Sequence, residues 1–202
     1  MPAIRFVDRR QSFSAHRQGG GPQHVAIVGI IRVEASVPCC RENEASRSND
    51  HSLSLRSARY AGVLATRGSD IAILQKRGVG VVHNPQSNMK LAAGVAPVPK
   101  MLSDGVLLGL GTDGAASNND LNMWEEMDTV AKLHKVFTGD PKVISAQQAF
   151  EFATIRGAQA LHLEKEIGSL EVGKRADLLV INRDTLNQIP AYNIYSDLVY
   201  AT

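Results

Sequence analysis

Two polar residues lie at or just after the ends of short apolar runs of the kind that form buried strands. His83 ends the run Val79–His83, and Asp113 follows the run Val106–Leu110. Reactive groups of parallel α/β barrels lie at the carboxyl ends of the strands, so both residues are candidates for chemistry. Asp113 could bind a metal ion and hold a proton near a bound water, whereas His83 could hydrogen-bond a substrate or orient a ligand.

Both residues also have structural interpretations, which the spacing alone leaves open. Asp-Gly is a common turn pair, and a histidine at a strand end can be satisfied by backbone groups. Other polar residues favour structural roles: Glu125 and Glu126 suit the solvated start of a helix, and His134 lies on an apolar helical stripe where packing is expected. The sequence contains no H-x-H, H-E-x-x-H, paired C-x-x-C or phosphate-binding glycine motif.

The order of elements predicts a parallel α/β unit around the two candidate residues. The runs Val79–His83 and Val106–Leu110 are apolar almost throughout, which favours strands that are buried on both faces. Helical patterns precede, separate and follow these strands. The predicted helices are Ser69–Lys76, Pro97–Ser103, Leu121–Val136 and Ser145–Leu161. Strands that alternate with helices imply a parallel sheet.

After Ile167 the pattern changes to short apolar runs separated by turn residues. The predicted strands are Leu170–Val172, Asp177–Asn182 and Ser196–Ala201. Short strands with turns between them predict a small β-rich piece that packs beside the α/β part.

The composition changes near residue 68. Residues 1–68 contain ten Arg and no Lys, whereas residues 69–202 contain four Arg and eight Lys. In the first part only Val25–Val33 has a strand pattern, and the polar stretch Cys40–Arg59 is interpreted as disordered. Three interpretations of this part remain open: a basic arm that binds nucleic acid, a solvated extension, or translation in another reading frame.

The whole-chain composition disfavours several classes of partner. A net charge of +2 indicates neither a nucleic-acid nor a membrane partner. No apolar run approaches the roughly 18–20 residues that a membrane span requires. Cys39 and Cys40 are adjacent and are expected to be free thiols, which favours a cytoplasmic protein.

Three stretches within residues 70–202 resemble one enzyme family, the metal-dependent amidohydrolases. His83–Leu102 (HNPQSNMKLAAGVAPVPKML) resembles their strand-seven segment, and Leu108–Met127 (LGLGTDGAASNNDLNMWEEM) resembles their strand-eight segment. Ile167–Ile181 (IGSLEVGKRADLLVI) is similar to their return into a β-sandwich domain. Within the family, the stretches are most similar to deaminases of 5′-methylthioadenosine and S-adenosylhomocysteine.

The resemblance implies a fold and a domain organisation. The expected fold is α/β: the C-terminal portion of a (β/α)₈ amidohydrolase barrel plus part of a composite β-sandwich that uses both ends of the family's chain. Residues 69–165 would form the partial barrel and residues 166–202 the partial β-sandwich, with residues 1–68 unassigned.

The resemblance also implies roles for the two candidate residues. In the family, the aspartate that matches Asp113 ligates zinc, takes a proton from the bound water and passes it to the leaving ammonia. Asp113 is therefore expected to be a catalytic, metal-binding and substrate-binding residue, and His83 is expected to contact substrate or a neighbouring side chain. The implied partner is a small purine nucleoside thioether, and the full-length parent could be a homo-oligomer.

The chain departs from the family's pattern at the remaining metal ligands. The strand-one H-x-H pair, the strand-five histidine and the glutamate three residues later are absent, and the strand-six histidine would fall near Gly62. A catalytic zinc normally has three or more protein ligands, so we expect this chain to be an inactive fragment of such a deaminase. Two alternatives remain: an amidohydrolase of the guanine deaminase or triazine hydrolase type, and a non-catalytic binding protein.

Overall fold

The computed structural model describes residues 25–28, 60–62, 68–183 and 186–202. The stretch Cys40–Arg59, which was interpreted as disordered, lies outside these residues. The strands are β1 (Val25–Val28), β2 (Tyr60–Gly62), β3 (Gly80–His83), β4 (Leu107–Leu110) and β5 (Leu179–Asn182). The helices are α1 (Gly68–Lys76), α2 (Pro85–Lys90), α3 (Val98–Ser103), α4 (Ala115–Asn118), α5 (Met123–Thr138), α6 (Ala146–Phe152), α7 (Ile155–Ala160) and α8 (Ile194–Tyr200), with a 3₁₀ turn at Leu186–Gln188. None of the described helices is both long and apolar enough to cross a membrane.

The central sheet is parallel, as the alternation of strands and helices predicted. Its strand order is β2-β3-β4, and β3 pairs with both neighbours. Val82 lies opposite Gly62 of β2, and His83 lies opposite Leu110 of β4. Parallel neighbours require a crossover connection, which α1 and α3 provide.

One face of the sheet packs on a helical layer that forms the main core. Val81, Leu108 and Leu110 alternate onto this face and belong to one buried cluster with side chains from the helices. The helical members of the cluster include Ile71, Leu74, Val98, Met101, Met127, Val130, Ala149 and Phe152. Their burial is the main contribution to holding the sheet and helices together.

Helix α7 covers the opposite face and approaches the sheet closely because two strand positions are glycine. A Cβ atom on Gly80 would lie 1.8 Å from the carbonyl oxygen of Ala160, and one on Gly109 would lie 3.1 Å from the Cα of Gly157. No side chain fits at Gly80 without moving the helix. The small residues therefore set the distance between α7 and β3.

A second, two-stranded sheet joins distant parts of the chain. β1 and β5 are antiparallel, with Val25 opposite Asn182 and Val28 opposite Leu179. The prediction of a strand at Asp177–Asn182 is confirmed over its last four residues, and the predicted strand Val25–Val33 over its first four. Residues 29–33 lie outside the described part of the chain.

The prediction of a strand at Ser196–Ala201 is wrong, because Ser196–Tyr200 belongs to α8 and Ala201 directly follows the helix. The Asn193 side chain caps the helix by accepting hydrogen bonds from the backbone amides of Tyr195 and Ser196. Leu198 and Val199 are buried, and the Tyr195 ring packs 5.5 Å from the ring of Phe150 on α6. The cap and the packing outweigh the strand propensity of these residues. The predicted strand Leu170–Val172 is also absent, since these residues are irregular and enter a turn at Val172.

Two further differences concern helices. The predicted helix Ser145–Leu161 is divided into α6 and α7, and its amino-terminal Ser145–Gln148 capping box is present. The division falls at Thr154, whose hydroxyl donates to the carbonyl oxygen of Phe150 at 2.9 Å. Helix α2 was not predicted, because Asn84-Pro85 has the composition of a turn. Proline is favoured in the first turn of a helix, where its missing N–H costs nothing.

Candidate active site

The strands β3 and β4 end at a common edge, where the candidate residues lie. The backbone amide of Gly111 donates to the carbonyl oxygen of His83 at 3.0 Å, so the pairing continues one residue beyond β4. Asp113 follows two residues later with φ 61°, in the left-handed region that Asp tolerates better than most residues. Gly62 ends β2 at the same edge.

The carboxylate of Asp113 is exposed at this edge and held by hydrogen bonds. The Ser87 hydroxyl donates to Oδ2 at 2.7 Å, and the backbone amide of Gly114 donates to Oδ1 at 2.8 Å. Partial burial opposes ionisation, but hydrogen bonds from Ser87, Ser117 and Gly114 outweigh it and lower the pKa of Asp113. The carboxylate is therefore ionised at neutral pH, as a metal ligand or a general base must be.

Two short helices place the groups around Asp113. Pro85 begins α2, which places Ser87 in the first turn and directs its hydroxyl at the carboxylate. Helix α4 follows the Asp113 turn and buries Asn118, whose side-chain amide donates to the carbonyl oxygen of Thr112 at 2.8 Å. The Lys90 ammonium donates to the carbonyl oxygen of Ala116 at 3.2 Å and joins the two helices. The turn is thus held from both sides.

His83 lies in a different environment, although it ends the neighbouring strand. Its ring is 3% exposed, and its Nε2 lies 3.2 Å from Nε2 of His134 on α5. The buried Nδ1 atoms of both rings have no hydrogen-bond partner among the described residues. Burial lowers the pKa of His83 to about 3, with a further contribution from His134, and burial lowers the pKa of His134 to about 4. Both rings are therefore neutral at pH 7.

The position of the His83 ring differs from the arrangement that its place in the strand suggested. The ring faces α5 rather than the open edge, so a substrate contact by His83 remains a prediction. The expected packing of His134 on the apolar stripe is confirmed, since this side chain is completely buried.

Glu126 is a buried polar residue that the sequence interpretation missed. Its side chain is 0% exposed, not solvated, and burial raises its pKa to about 7 against the hydrogen bonds from Gln86 and Asn118. The helical period contained the signal. Glu126, Val130 and His134 are spaced four residues apart, so Glu126 falls on the same stripe of α5 as two buried residues.

The described residues do not complete a zinc site. No group of three or more His, Cys, Asp or Glu side chains within the described part of the chain is arranged to hold a metal ion. Asp113 could serve as one ligand, but His83 pairs with His134, and Gly62 has no side chain to offer. One carboxylate is too few for a catalytic zinc, so these residues alone do not fit the metal that the resemblance implied.

The fold and the polar edge define an α/β protein whose candidate reactive group follows a parallel strand. A model of the amidohydrolase family matches residues 31–201, and the chain belongs to this family. The match begins at residue 31, so it extends further upstream than residues 70–202, where the motifs carry the resemblance.

Three known proteins show how the similarity is distributed. A 5-methylthioadenosine/S-adenosylhomocysteine deaminase from Desulforudis audaxviator is 59% identical over 133 residues, 66% of this chain and 31% of that protein. A 5′-deoxyadenosine deaminase from Methanosarcina acetivorans is 43% identical over 192 residues, 93% of this chain and 43% of that protein.

The third is a crystal structure. An adenosine deaminase from Xanthomonas campestris with bound zinc superimposes with a TM-score of 0.66 at 42% identity, covering 68% of this chain and 31% of that one. The chain thus spans less than half the length of each of these three proteins.

Proposed function

We propose that this chain carries the carboxyl-terminal part of the active site of a zinc-dependent hydrolytic deaminase. The proposed substrates are 5′-methylthioadenosine and S-adenosylhomocysteine, with 5′-deoxyadenosine as an alternative of the same class. One observation carries the proposal: the ionised Asp113 carboxylate, exposed after β4 and hydrogen-bonded to Ser87 and Gly114. The names of the similar proteins support this substrate class.

The proposed reaction gives Asp113 a defined task. A water oxygen bonds to the amino-bearing carbon of the purine, the carbon–nitrogen bond breaks, and ammonia leaves. Asp113 would accept a proton from the water and return it to the departing nitrogen, as a general base and then a general acid. The hydrogen bonds that lower its pKa keep the carboxylate in the form that accepts the proton.

We propose further that the chain alone does not catalyse this reaction. The described residues offer a single metal ligand, fewer than a catalytic zinc requires. In this proposal residues 69–165 are the barrel part and residues 166–202 the β-sandwich part. A cytoplasmic location is supported by the adjacent Cys39 and Cys40, which are expected to be free thiols.

A chimaera tests the proposal. Residues 69–202 would replace the matching segment of the Desulforudis audaxviator deaminase, and ammonia release from 5′-methylthioadenosine would be measured. We expect the chimaera to be active and its Asp113→Asn variant to lose about 10³-fold in rate, since a positioned acid–base group contributes about 10²–10⁴-fold. Asp140→Asn, the same change in an exposed loop, is the matched control and should retain the activity.

Two results would contradict the proposal. A folded chimaera that retains its rate after Asp113→Asn would remove Asp113 from the chemistry. Ammonia release by the unmodified 202-residue chain, lost in its own Asp113→Asn variant, would show that the chain is not an inactive fragment.

A further inference from the structure

Glu126 carries a buried carboxyl group, and burying such a group costs free energy. It is 0% exposed, and it lies next to Met127, one of the core residues. No described lysine or arginine forms an ion pair with it. A buried carboxyl group without an opposite charge persists only where hydrogen bonds satisfy its oxygens, so its contacts indicate what it does.

One oxygen of Glu126 holds the backbone immediately before Asp113. The side-chain amide of Asn118 donates to Oε1 of Glu126 at 2.6 Å and to the carbonyl oxygen of Thr112 at 2.8 Å. An amide nitrogen carries two hydrogens, so it can serve both acceptors at once. Thr112 is therefore tied to a buried group on α5 at the point where the chain enters the left-handed conformation of Asp113.

The other oxygen holds the helix that carries the hydrogen-bond donor to Asp113. The backbone amide of Gln86 donates to Oε2 of Glu126 at 3.3 Å. The next residue is Ser87, whose hydroxyl donates to Asp113 at 2.7 Å. The Glu126 side chain is therefore connected both to the backbone before Asp113 and to the helix that carries its partner Ser87.

The geometry points to Glu126 as a positioning residue, which holds Asp113 in place through Asn118 and Thr112 on one side and through Gln86 and Ser87 on the other. This inference rests on the proposed function for its chemical meaning, since it assigns Glu126 to the same site. Glutamine could not fully replace it. Both contacts come from N–H donors, and a carboxyl group has an acceptor oxygen for each, whereas glutamine has only one.

The conformation of Asp113 can be measured directly in the full chain. Three-bond couplings from the Asp113 Cγ to its backbone nitrogen and carbonyl carbon report the χ1 rotamer by NMR. We expect a single rotamer in the unmodified chain and averaged couplings in Glu126→Gln. Hydrogen exchange of the Gly114 amide, which donates to Asp113, should become about fivefold faster, the equivalent of about one hydrogen bond.

Two further variants make the result specific. Asn118→Ala removes one side of the connection and should also average the Asp113 rotamer. Glu164→Gln makes the same change in the turn after α7 and should leave both measurements unaltered. A residue that contributed only to global stability would leave the rotamer of the folded state unchanged, so the couplings separate positioning from general stabilisation.

The inference is overturned if Glu126→Gln and Asn118→Ala remain folded and Asp113 keeps its single rotamer and slow Gly114 exchange. Loss of the fold in both variants would also overturn it, because Glu126 would then be a general structural residue. Neither measurement requires turnover. An inactive chimaera would therefore count against the proposed deaminase and leave the positioning role intact, and the converse also holds.

Discussion

Asp113 and His83 lie at the ends of neighbouring parallel strands at one edge of the sheet, yet their surroundings are opposite. Asp113 is exposed, and both of its carboxylate oxygens accept hydrogen bonds. His83 is buried against His134, and its Nδ1 has no partner among the described residues. A position at the carboxyl end of a strand is therefore insufficient to place a side chain in a site.

The direction of each side chain explains the difference. His83 is still within β3, so the alternation of the strand turns it to the face of Val81, Leu108 and Leu110, where α5 packs. Asp113 lies beyond the end of β4, and its positive φ takes it out of the alternation. We accordingly expect substitutions at the histidine pair to affect stability, and those at Asp113 to affect function.

The largest effect on stability is expected from His134→Ala. The change leaves a cavity in the core and removes the partner of the buried His83 ring, so unfolding free energy should fall by about 3 kcal/mol. Urea denaturation at pH 7.5 measures the loss. Val136→Ala on the same helix is the control, since Val136 is 84% exposed and should change stability by less than about 0.5 kcal/mol. Equal effects of the two variants would show that the pair is not part of the core.

The pH dependence of stability should separate the histidine pair from Glu126. Below the ordinary histidine pKa of 6.5, the unfolded chain binds protons that the folded pair, with pKa values of about 3 and 4, does not. The histidine pair therefore makes the folded chain less stable as pH falls. Glu126 acts oppositely: its pKa of about 7 exceeds the ordinary 4.5, so the folded chain binds a proton first and gains stability as pH falls.

Between pH 6.5 and 4.5, the unfolded chain holds the protons of two histidines and the folded chain holds that of one glutamate, a difference of one proton. The unfolding free energy should therefore fall by about 1.4 kcal/mol for each unit by which pH decreases. Glu126→Gln removes the opposing group and should double this slope. Urea denaturation at pH 6.5, 5.5 and 4.5 tests both statements, with Glu164→Gln, the same change in the turn after α7, as the control that follows the unmodified chain. A slope that falls in Glu126→Gln would mean that the sign assigned to Glu126 is wrong.

The same contrast shows what can be predicted from this sequence. The strands β3 and β4 and the helices α1 and α5 were predictable because their apolar residues follow one period and their ends carry caps or glycine. Asp113 was a candidate because it follows a buried strand, but Asp-Gly is also a common turn pair, and the resemblance of Leu108–Met127 to the family's strand-eight segment was needed to single it out. Helix α2 was missed because proline suits both a turn and the first turn of a helix. Contacts outside the local sequence, such as that of Ser87 with Asp113, favour the helix.

Long-range contacts decided what could not be predicted. Ser196–Ala201 has strand propensity, but the Asn193 cap and the packing of α8 on α6 make it helical. Glu126 is in the first turn of α5, where an acidic residue is usually solvated, and its burial follows from the approach of α2 and α4 to α5. The pairing of His83 with His134 joins residues that are 51 positions apart, which no local pattern encodes.

The smallest effect on stability is expected from Asp113→Asn, which tests the other half of the comparison. Asparagine tolerates the left-handed conformation at φ 61°, and its amide oxygen can still accept the Ser87 hydrogen bond. The unfolding free energy should therefore change by less than about 1 kcal/mol. Urea denaturation at pH 7.5 measures it, with Asp140→Asn as the exposed control.

A loss above about 2 kcal/mol would make Asp113 as important for stability as the histidine pair, because such losses come from core or buried polar groups. A small change has the opposite meaning. Asp113 adopts a backbone conformation that is unusual for residues other than glycine, and it keeps an ionised carboxylate at an open edge. If the fold scarcely depends on that charge, its hydrogen bonds to Ser87 and Gly114 are better explained by a chemical role than by stability.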